Sequence, residues 1–295
     1  MRALELDPDN AEAMIWAAGF ELGSGNVGAA ERMSLRLIEL TATDPDSKQM
    51  YWGRLRLGYI RQRRGDLASA MSDYVESLAI GERWAKAKPQ DSRWRRDLPW
   101  SHDAIGDVHW GQGNLAAALA SYETALALRD NVVKSDPGNP RSHNDLSESY
   151  VKVGDLHRAQ GNLRAARASY QSALEIGERM VNSDPANVES QSRLSMAHDR
   201  TGEVDRAERN FQAALANYQA SFAIRKNLAD ADPSNAARQR ALSFSHERIG
   251  HVQRSQGDLP ATMASYQASF AIRERLAATD PTNLNWQRDL ALFTP

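Results

Sequence analysis

The sequence has no cysteine. Disulfides, thiol catalysis, iron–sulfur clusters and Cys-ligated zinc are therefore excluded. It also lacks an excess of charge of one sign: 36 basic residues stand against 38 acidic ones, a formal net charge of −2. A protein that grips nucleic acid through its phosphates is normally basic, so no nucleic-acid partner is expected. Long hydrophobic runs are missing too. No stretch approaches the ~18 uninterrupted apolar residues of a spanning helix, so no membrane partner is expected. The opening MRALELDPDN has neither the basic start nor the apolar core of a signal peptide, which leaves the cytoplasm as the default compartment. There is no GxxxxGK[ST], no GxGxxG after a strand, no GxSxG, no HExxH and no His-x3-His. No cofactor, metal or catalytic group is expected, and the chain is not expected to be an enzyme.

What the sequence does contain is an internal repeat of 48 residues. Glycine recurs at Gly58, Gly106, Gly154, Gly202 and Gly250. Tyrosine recurs at Tyr74, Tyr122, Tyr170, Tyr218 and Tyr266, and proline at Pro89, Pro137, Pro185, Pro233 and Pro281. No column carries an insertion, so each unit occupies the same slot, stacked in register on its neighbours. Upstream the spacing is shorter, 37 residues from Pro8 to Pro45 and 44 from Pro45 to Pro89. Length alone suggests two domains of about 100–200 residues, but an array grows by adding units, so one continuous body is expected.

Each unit reads as two helices. Trp94, Leu98, Ile105 and Val108 form one apolar stripe, and Leu115, Ala118, Leu119, Tyr122, Ala125 and Leu126 form the next. Strand alternation is absent. Gly65, Gly113, Gly161 and Gly257 follow the first helix, where a left-handed residue ends it at little cost. The next residue, Asp66, Asn114, Asn162, Asn210 or Asp258, suits an N-cap. Arg209 replaces the glycine in one unit; that turn is expected to be strained, or its helices to run closer to continuous. The second turn is Asp-Pro-x-Asn, as in Asp136 to Asn139, where proline stops one helix and asparagine starts the next.

These residues resemble the tetratricopeptide repeat, a 34-residue helix–turn–helix reading W-x2-L-G-x2-Y…A-x3-F…P. Its Leu-Gly pair is matched at Leu57-Gly58, Ile105-Gly106, Val153-Gly154 and Ile249-Gly250. Its small residue is matched at Ala70, Ala118, Ala166, Ala214 and Thr262, each four residues before the tyrosine. The motif's first aromatic is replaced by Arg54, His102, Tyr150, His198 and His246, and its Tyr by Arg61, His109, His157, Asp205 and Gln253. Here the first helix starts seven residues early and the proline comes seven late. Seven residues is nearly two turns, about 20° from full register, so each helix lengthens while keeping its buried face. The openings Trp94-Arg95-Arg96-Asp97-Leu98 and Trp286-Gln287-Arg288-Asp289-Leu290 resemble a bacterial long variety of the repeat, often found beside signalling or effector domains. The resemblance implies an all-α, right-handed superhelical α-solenoid over residues 1–295. Its repeats fall at approximately 9–45, 46–90, 91–138, 139–186, 187–234 and 235–282, with a partial final helix over 283–295. Both ends look cut. A fragment of a larger protein, or self-association through uncapped ends, is expected.

The family places its first helices along the concave surface, so the exposed stripe of those helices is the candidate partner site. Successive units supply Trp52, Leu55, Tyr59 and Gln62; Trp100, Asp103, Asp107 and Trp110; Glu148, Val151, Asp155 and Arg158; Met196, Asp199, Glu203 and Arg206; and Phe244, Glu247, His251 and Arg254. Two readings stay open. In one, apolar anchors and Arg forks grip a partner peptide or helix. In the other, the charges satisfy one another as Asp155–Arg158 and Glu203–Arg206 pairs at i, i+3, and neighbouring helices bury the aromatics. Self-pairing is the expectation for the charges. Binding is the expectation for Trp52, Tyr59, Trp100 and Trp110, because an exposed aromatic cluster needs a reason. The columns that carry Lys and Asn in chaperone-tail clamps are apolar, acidic or His here, and acids there would repel a carboxylate tail. His102, His198 and His246 share the first-aromatic column, where interhelical packing is the expectation. The function implied is a scaffold or adaptor for a protein or peptide; the alternative is a regulatory or sensor segment of a larger signalling protein.

Overall fold

The structure, a computed structural model, describes residues 7, 9–23, 26–88 and 92–291. Most of the opening segment, Pro8 and Pro89 of the proline series, and the last residues to Pro295 lie outside the described residues. Among the described residues there are thirteen helices and no strand. In chain order they are α1 (Ala11–Gly23), α2 (Val27–Leu40), α3 (Lys48–Arg63), α4 (Leu67–Ala87), α5 (Ser92–Gly111), α6 (Leu115–Ser135), α7 (Pro140–Ala159), α8 (Leu163–Ser183), α9 (Val188–Ala207), α10 (Phe211–Ala231), α11 (Ala236–Ser255), α12 (Leu259–Thr279) and α13 (Leu284–Ala291). The chain divides into two compact units, Met1–Ser142 and His143–Pro295, with the boundary in the first turn of α7. Each unit is a run of helical hairpins of the α-solenoid class.

The short first repeat serves as a ruler for the long ones. Its helices α1 and α2 have 13 and 14 residues, whereas α5 and α6 have 20 and 21. Each helix gains seven residues, so the two extensions together account for the longer period.

The glycine and tyrosine columns are two halves of one contact. A Cβ at Gly58 would lie 2.6 Å from the Tyr74 ring, one at Gly106 2.5 Å from Tyr122, one at Gly202 2.7 Å from Tyr218 and one at Gly250 2.6 Å from Tyr266; Gly154 meets Tyr170 in the same way. The glycine thus lets the second helix lay its tyrosine flat on the backbone of the first. Tyr74, Tyr122, Tyr170 and Tyr218 are at most 1% exposed. The same rings hold the next repeat. Val108 shares a core cluster with Ala70 and Tyr74 in the first unit. In the second, Val204 shares one with Ala166 and Tyr170, and Val252 another with Ala214 and Tyr218.

The turns follow from their end residues. Gly65, Gly113, Gly161 and Gly257 all have φ between 78° and 85°. Arg209 adopts the same left-handed conformation, φ 63°, with a side chain that disfavours it by about 1–2 kcal/mol. Of the two expected outcomes the strained turn is the one observed; α9 and α10 stay separate. Asp66, Asn162 and Asp258 accept backbone N–H bonds from Ser69, Ala165 and Ala261. Asn114 and Asn210 occupy the cap position without that bond, a departure from the expected chemistry.

The glycine contact yields a paired prediction. Gly106→Ala forces the Tyr122 ring to move and lowers stability by about 1–3 kcal/mol, despite alanine's better helix propensity. Gly111→Ala, on the same helix with nothing near its missing Cβ, is neutral or stabilising by up to about 1 kcal/mol. Thermal denaturation of both variants checks the difference.

Candidate functional site

The expected stripe of the first helices is not uniformly exposed. Leu55, Asp103, Val151 and Asp199 are buried, which corrects their assignment to an open face. Trp52, Trp100, Asp107, Trp110, Asp155, Arg158, Met196, Glu203 and Phe244 are half-buried, and Tyr59, Arg206 and Arg254 are exposed.

One acidic row serves the buried tyrosines. The Tyr122 hydroxyl donates to Asp107 Oδ1 at 2.5 Å, and that of Tyr170 to Asp155 Oδ1 at 2.6 Å. Tyr74 donates to Gln62, and the Tyr266 hydroxyl bonds His251 Nδ1. Burial pushes the phenols up; for Tyr218, with Glu203 adding to burial, the value reaches about 12. Burial also raises the Asp155 carboxyl, against the opposing pull of Arg200.

The buried acids belong to a pairing that reading along the chain missed. Asp103 on α5 meets Arg129 on α6 at 2.7 Å, both about 5% exposed. Asp199 on α9 meets Arg225 on α10 at 2.6 Å and Arg248 on α11 at 2.8 Å. Glu247 on α11 pairs with Arg273 on α12. Where the first helix instead carries Leu55 or Val151, the same column of the second helix carries Gly81 or Gly177. There the following first helix closes in: Leu98 and Leu194 lie 2.7 and 3.1 Å from where a Cβ would be. The two columns switch together, and that switch was the available signal.

Most of the remaining charges pair between repeats, and Arg200 also pairs along its own helix with Glu203. Arg200 reaches Asp155 at 2.9 Å and Glu203 at 3.0 Å; Arg158 and Arg248 reach Glu203 at 3.4 and 3.3 Å. The expected Asp155–Arg158 and Glu203–Arg206 pairs give way to these, and Arg206 is exposed. Burial, with Arg248 and Arg200 nearby, lowers the Arg225 guanidinium although Asp199 opposes it. In one of the two columns the acids Asp103, Asp199 and Glu247 each face an arginine of the second helix. What still separates these columns from a tail clamp is the absence of its Lys and Asn.

The apolar row flanks this network. Trp52 packs edge-on to Tyr51 under the Arg56 guanidinium. Arg129 lies over the Trp100 ring at 5.1 Å, and Arg240 and Arg273 lie over Phe244 at 5.0 and 4.7 Å. Trp110 meets Tyr122 edge-on. In the second unit Met196, Phe244 and Ala241 wall an open cleft of about 290 Å³, with Asp199, Arg200, Arg225 and Arg248 completing it. His102, His198 and His246 are half-buried between helices; His198 bonds Asn217 and His246 packs on Phe222. Among the described residues no three His, Asp or Glu side chains gather as a metal set, and no helix is long and apolar enough to cross a membrane.

Stacked hairpins, a small residue four before each tyrosine and a glycine beneath its ring define a helical-repeat protein. Two family models, each described as tetratricopeptide repeat, match residues 104–177 and 145–220. Residues 104–220 thus match tetratricopeptide-repeat models. Solved structures agree on the fold. BtubC (BKLC) from P. vanneervenii superposes with a TM-score of 0.59 at 18% identity, covering 90% of this chain and 92% of that one. Apo RapI gives 0.55 at 11% identity, over 91% and 99%. Pseudomonas aeruginosa pilF gives 0.53 at 15% identity, over 96% and 97%. No curated protein sequence matches the chain.

Two predictions come from these contacts. Asp103→Leu alone takes the carboxylate from a buried guanidinium and costs about 3–5 kcal/mol. Adding Arg129→Gly, which recreates the Leu55/Gly81 pattern, recovers all but roughly the 1 kcal/mol of a helical glycine; chemical denaturation of both variants reads this. The second concerns pH. Burial holds the His102 and His246 imidazoles below their usual value. The unfolded chain therefore takes up protons first as pH falls. Their contribution is complete above the ordinary histidine value near 6.5 and is lost as pH drops through it toward the folded value. Replacing both by Gln flattens the fall in unfolding midpoint between about pH 7.5 and 5.5.

Proposed function

We propose that the chain is a non-catalytic scaffold or adaptor built from repeats of the bacterial long variety. It binds a protein or peptide along its first helices and works in the cytoplasm. The observation that carries the reading is the open cleft beside Met196 and Phe244, with guanidiniums already fixed by Asp199, Glu203 and Asp155. Apolar walls next to oriented charges suit an amphipathic segment, and a preset site loses little ordering entropy on association. Tyr59 and Arg254 add exposed aromatic and cationic contacts on equivalent helices. The same reading includes self-association through terminal repeats, on faces apart from the groove.

The test is capture from a host lysate on the immobilised chain. Met196→Ala with Phe244→Ala removes both walls; Val188→Ala, at an exposed apolar position on α9 outside the cleft, is the control. The expected result is at least about a tenfold loss of the captured protein for the double variant only. Undiminished capture by a double variant with normal circular dichroism contradicts the groove.

A further inference from the structure

One cation of the first unit is largely withdrawn from water and has no anion. Arg56, on α3, is half-buried, and its guanidinium lies over the Trp52 ring at 5.2 Å. Its Nη1 is buried without a hydrogen-bond acceptor. Among the described residues no carboxylate pairs with it. Of the acids on α1, Glu12 goes to Lys48 and Glu21 makes no ion pair with Arg56. Burial is the one influence on the group and pulls it down to about 10, which leaves it charged at neutral pH. A charge withdrawn from water without a partner is costly.

The repeat shows what this position normally has. Arg56 shares its column with Arg200 and Arg248. In the second unit Arg200 on α9 takes Asp155 from the preceding first helix, α7, and Glu203 from its own helix. Arg248 on α11 takes Asp199 and Glu203, both from the preceding first helix, α9. Neither source exists for Arg56. The residue three later on its own helix, a glutamate for Arg200, is Tyr59. On the preceding first helix, α1, the residue that meets the guanidinium is Gly19: a Cβ there would stand 3.1 Å from Arg56 Nη2. Both helices are described, so the missing acid is a matter of residue type.

We infer that Arg56 takes its carboxylate from the partner: an Asp or Glu side chain of the bound segment does for Arg56 what Asp155 does for Arg200. The inference deepens the reading of binding along the first helices and rests on it, but it concerns the first unit and not the Met196–Phe244 cleft of the second. The chain itself argues for a carboxylate, since the same column binds one at Arg200 and again at Arg248. One guanidinium also matches one carboxylate in charge. Only Nη1 of Arg56 is enclosed, so another edge of the group stays open to a ligand oxygen. Trp52 holds the guanidinium from below, and Tyr59, exposed one turn along α3, offers an aromatic face to the rest of the segment.

Fluorescence polarisation on the 295-residue chain tests this with three pools of short dye-labelled peptides. Each pool is blocked at both ends, carries Glu, Gln or phosphoserine at its centre, and has random uncharged residues elsewhere. The Glu pool is expected to bind at least about fivefold more tightly than the Gln pool. Arg56→Met removes the cation, and Gly19→Asp supplies an internal acid as Asp155 does; each is expected to bring the two pools to equal affinity. Gly19→Asp is also expected to raise the thermal unfolding midpoint, and Arg56→Met not to lower it, because both end the uncompensated charge. Equal binding of the Glu and Gln pools to the parent overturns the inference. So does a Glu preference that survives both substitutions, tighter binding of the phosphoserine pool than of the Glu pool, or a lowered midpoint for Gly19→Asp. If no pool binds while lysate capture through the cleft persists, this inference fails alone; if capture fails too, the groove reading falls with it.

Discussion

The tyrosine ring pressed on a bare helix backbone is the interaction on which the rest of the structure depends. A side chain at Gly154 would occupy the space of the Tyr170 ring, so the two helices of that hairpin could not close at this distance. Once they close, the ring and its neighbouring Ala166 form the floor on which Val204 of the next first helix sits. One contact therefore sets both the hairpin and the step to the following repeat. The hydroxyl at the ring's far end must be satisfied as well, and Asp155, the residue after the glycine, does this. That requirement explains an acid on the first helix without reference to a ligand.

Interior chemistry takes one of two forms around this fixed contact. Repeats with an acid in the first helix carry an arginine opposite, as in Asp103–Arg129, Asp199–Arg225 and Glu247–Arg273. Repeats with Leu55 or Val151 carry glycine opposite and let the next helix approach. The ionic interiors place guanidiniums beside Trp100 and Phe244, and the extra arginines Arg200 and Arg248 tie Asp155, Asp199 and Glu203 across repeats. The charged cleft is thus a by-product of how those repeats are held together.

Much of the fold was legible because a drift-free period fixes columns before any helix is assigned. Helix ends at Gly65, Gly113, Gly161 and Gly257, the strained Arg209 turn and the seven-residue extensions could all be read from residue type and spacing. Partnerships between columns were harder to see. Gly106 and Tyr122 were both recognised, yet nothing in a list of positions says that one ring needs the other's missing Cβ. Asp155 and Glu203 looked like solvent-facing partners of Arg158 and Arg206, because spacing along one helix is visible and spacing between helices is not. Leu55 and Val151 were placed on an open face because the stripe was drawn for helices of ordinary length. The matched switch between Leu55/Gly81 and Asp103/Arg129 was the clue available.

The most direct measurement is a double-mutant cycle on one hairpin, Gly154→Ala crossed with Tyr170→Leu, read by equilibrium denaturation. If the ring is what forbids a side chain at that glycine, the alanine is costly in the parent and becomes neutral or stabilising once the ring is gone, a coupling of at least about 1 kcal/mol. Equal costs of the alanine in both backgrounds would mean that ring and backbone do not depend on each other, and the account of how the repeats stack would be wrong.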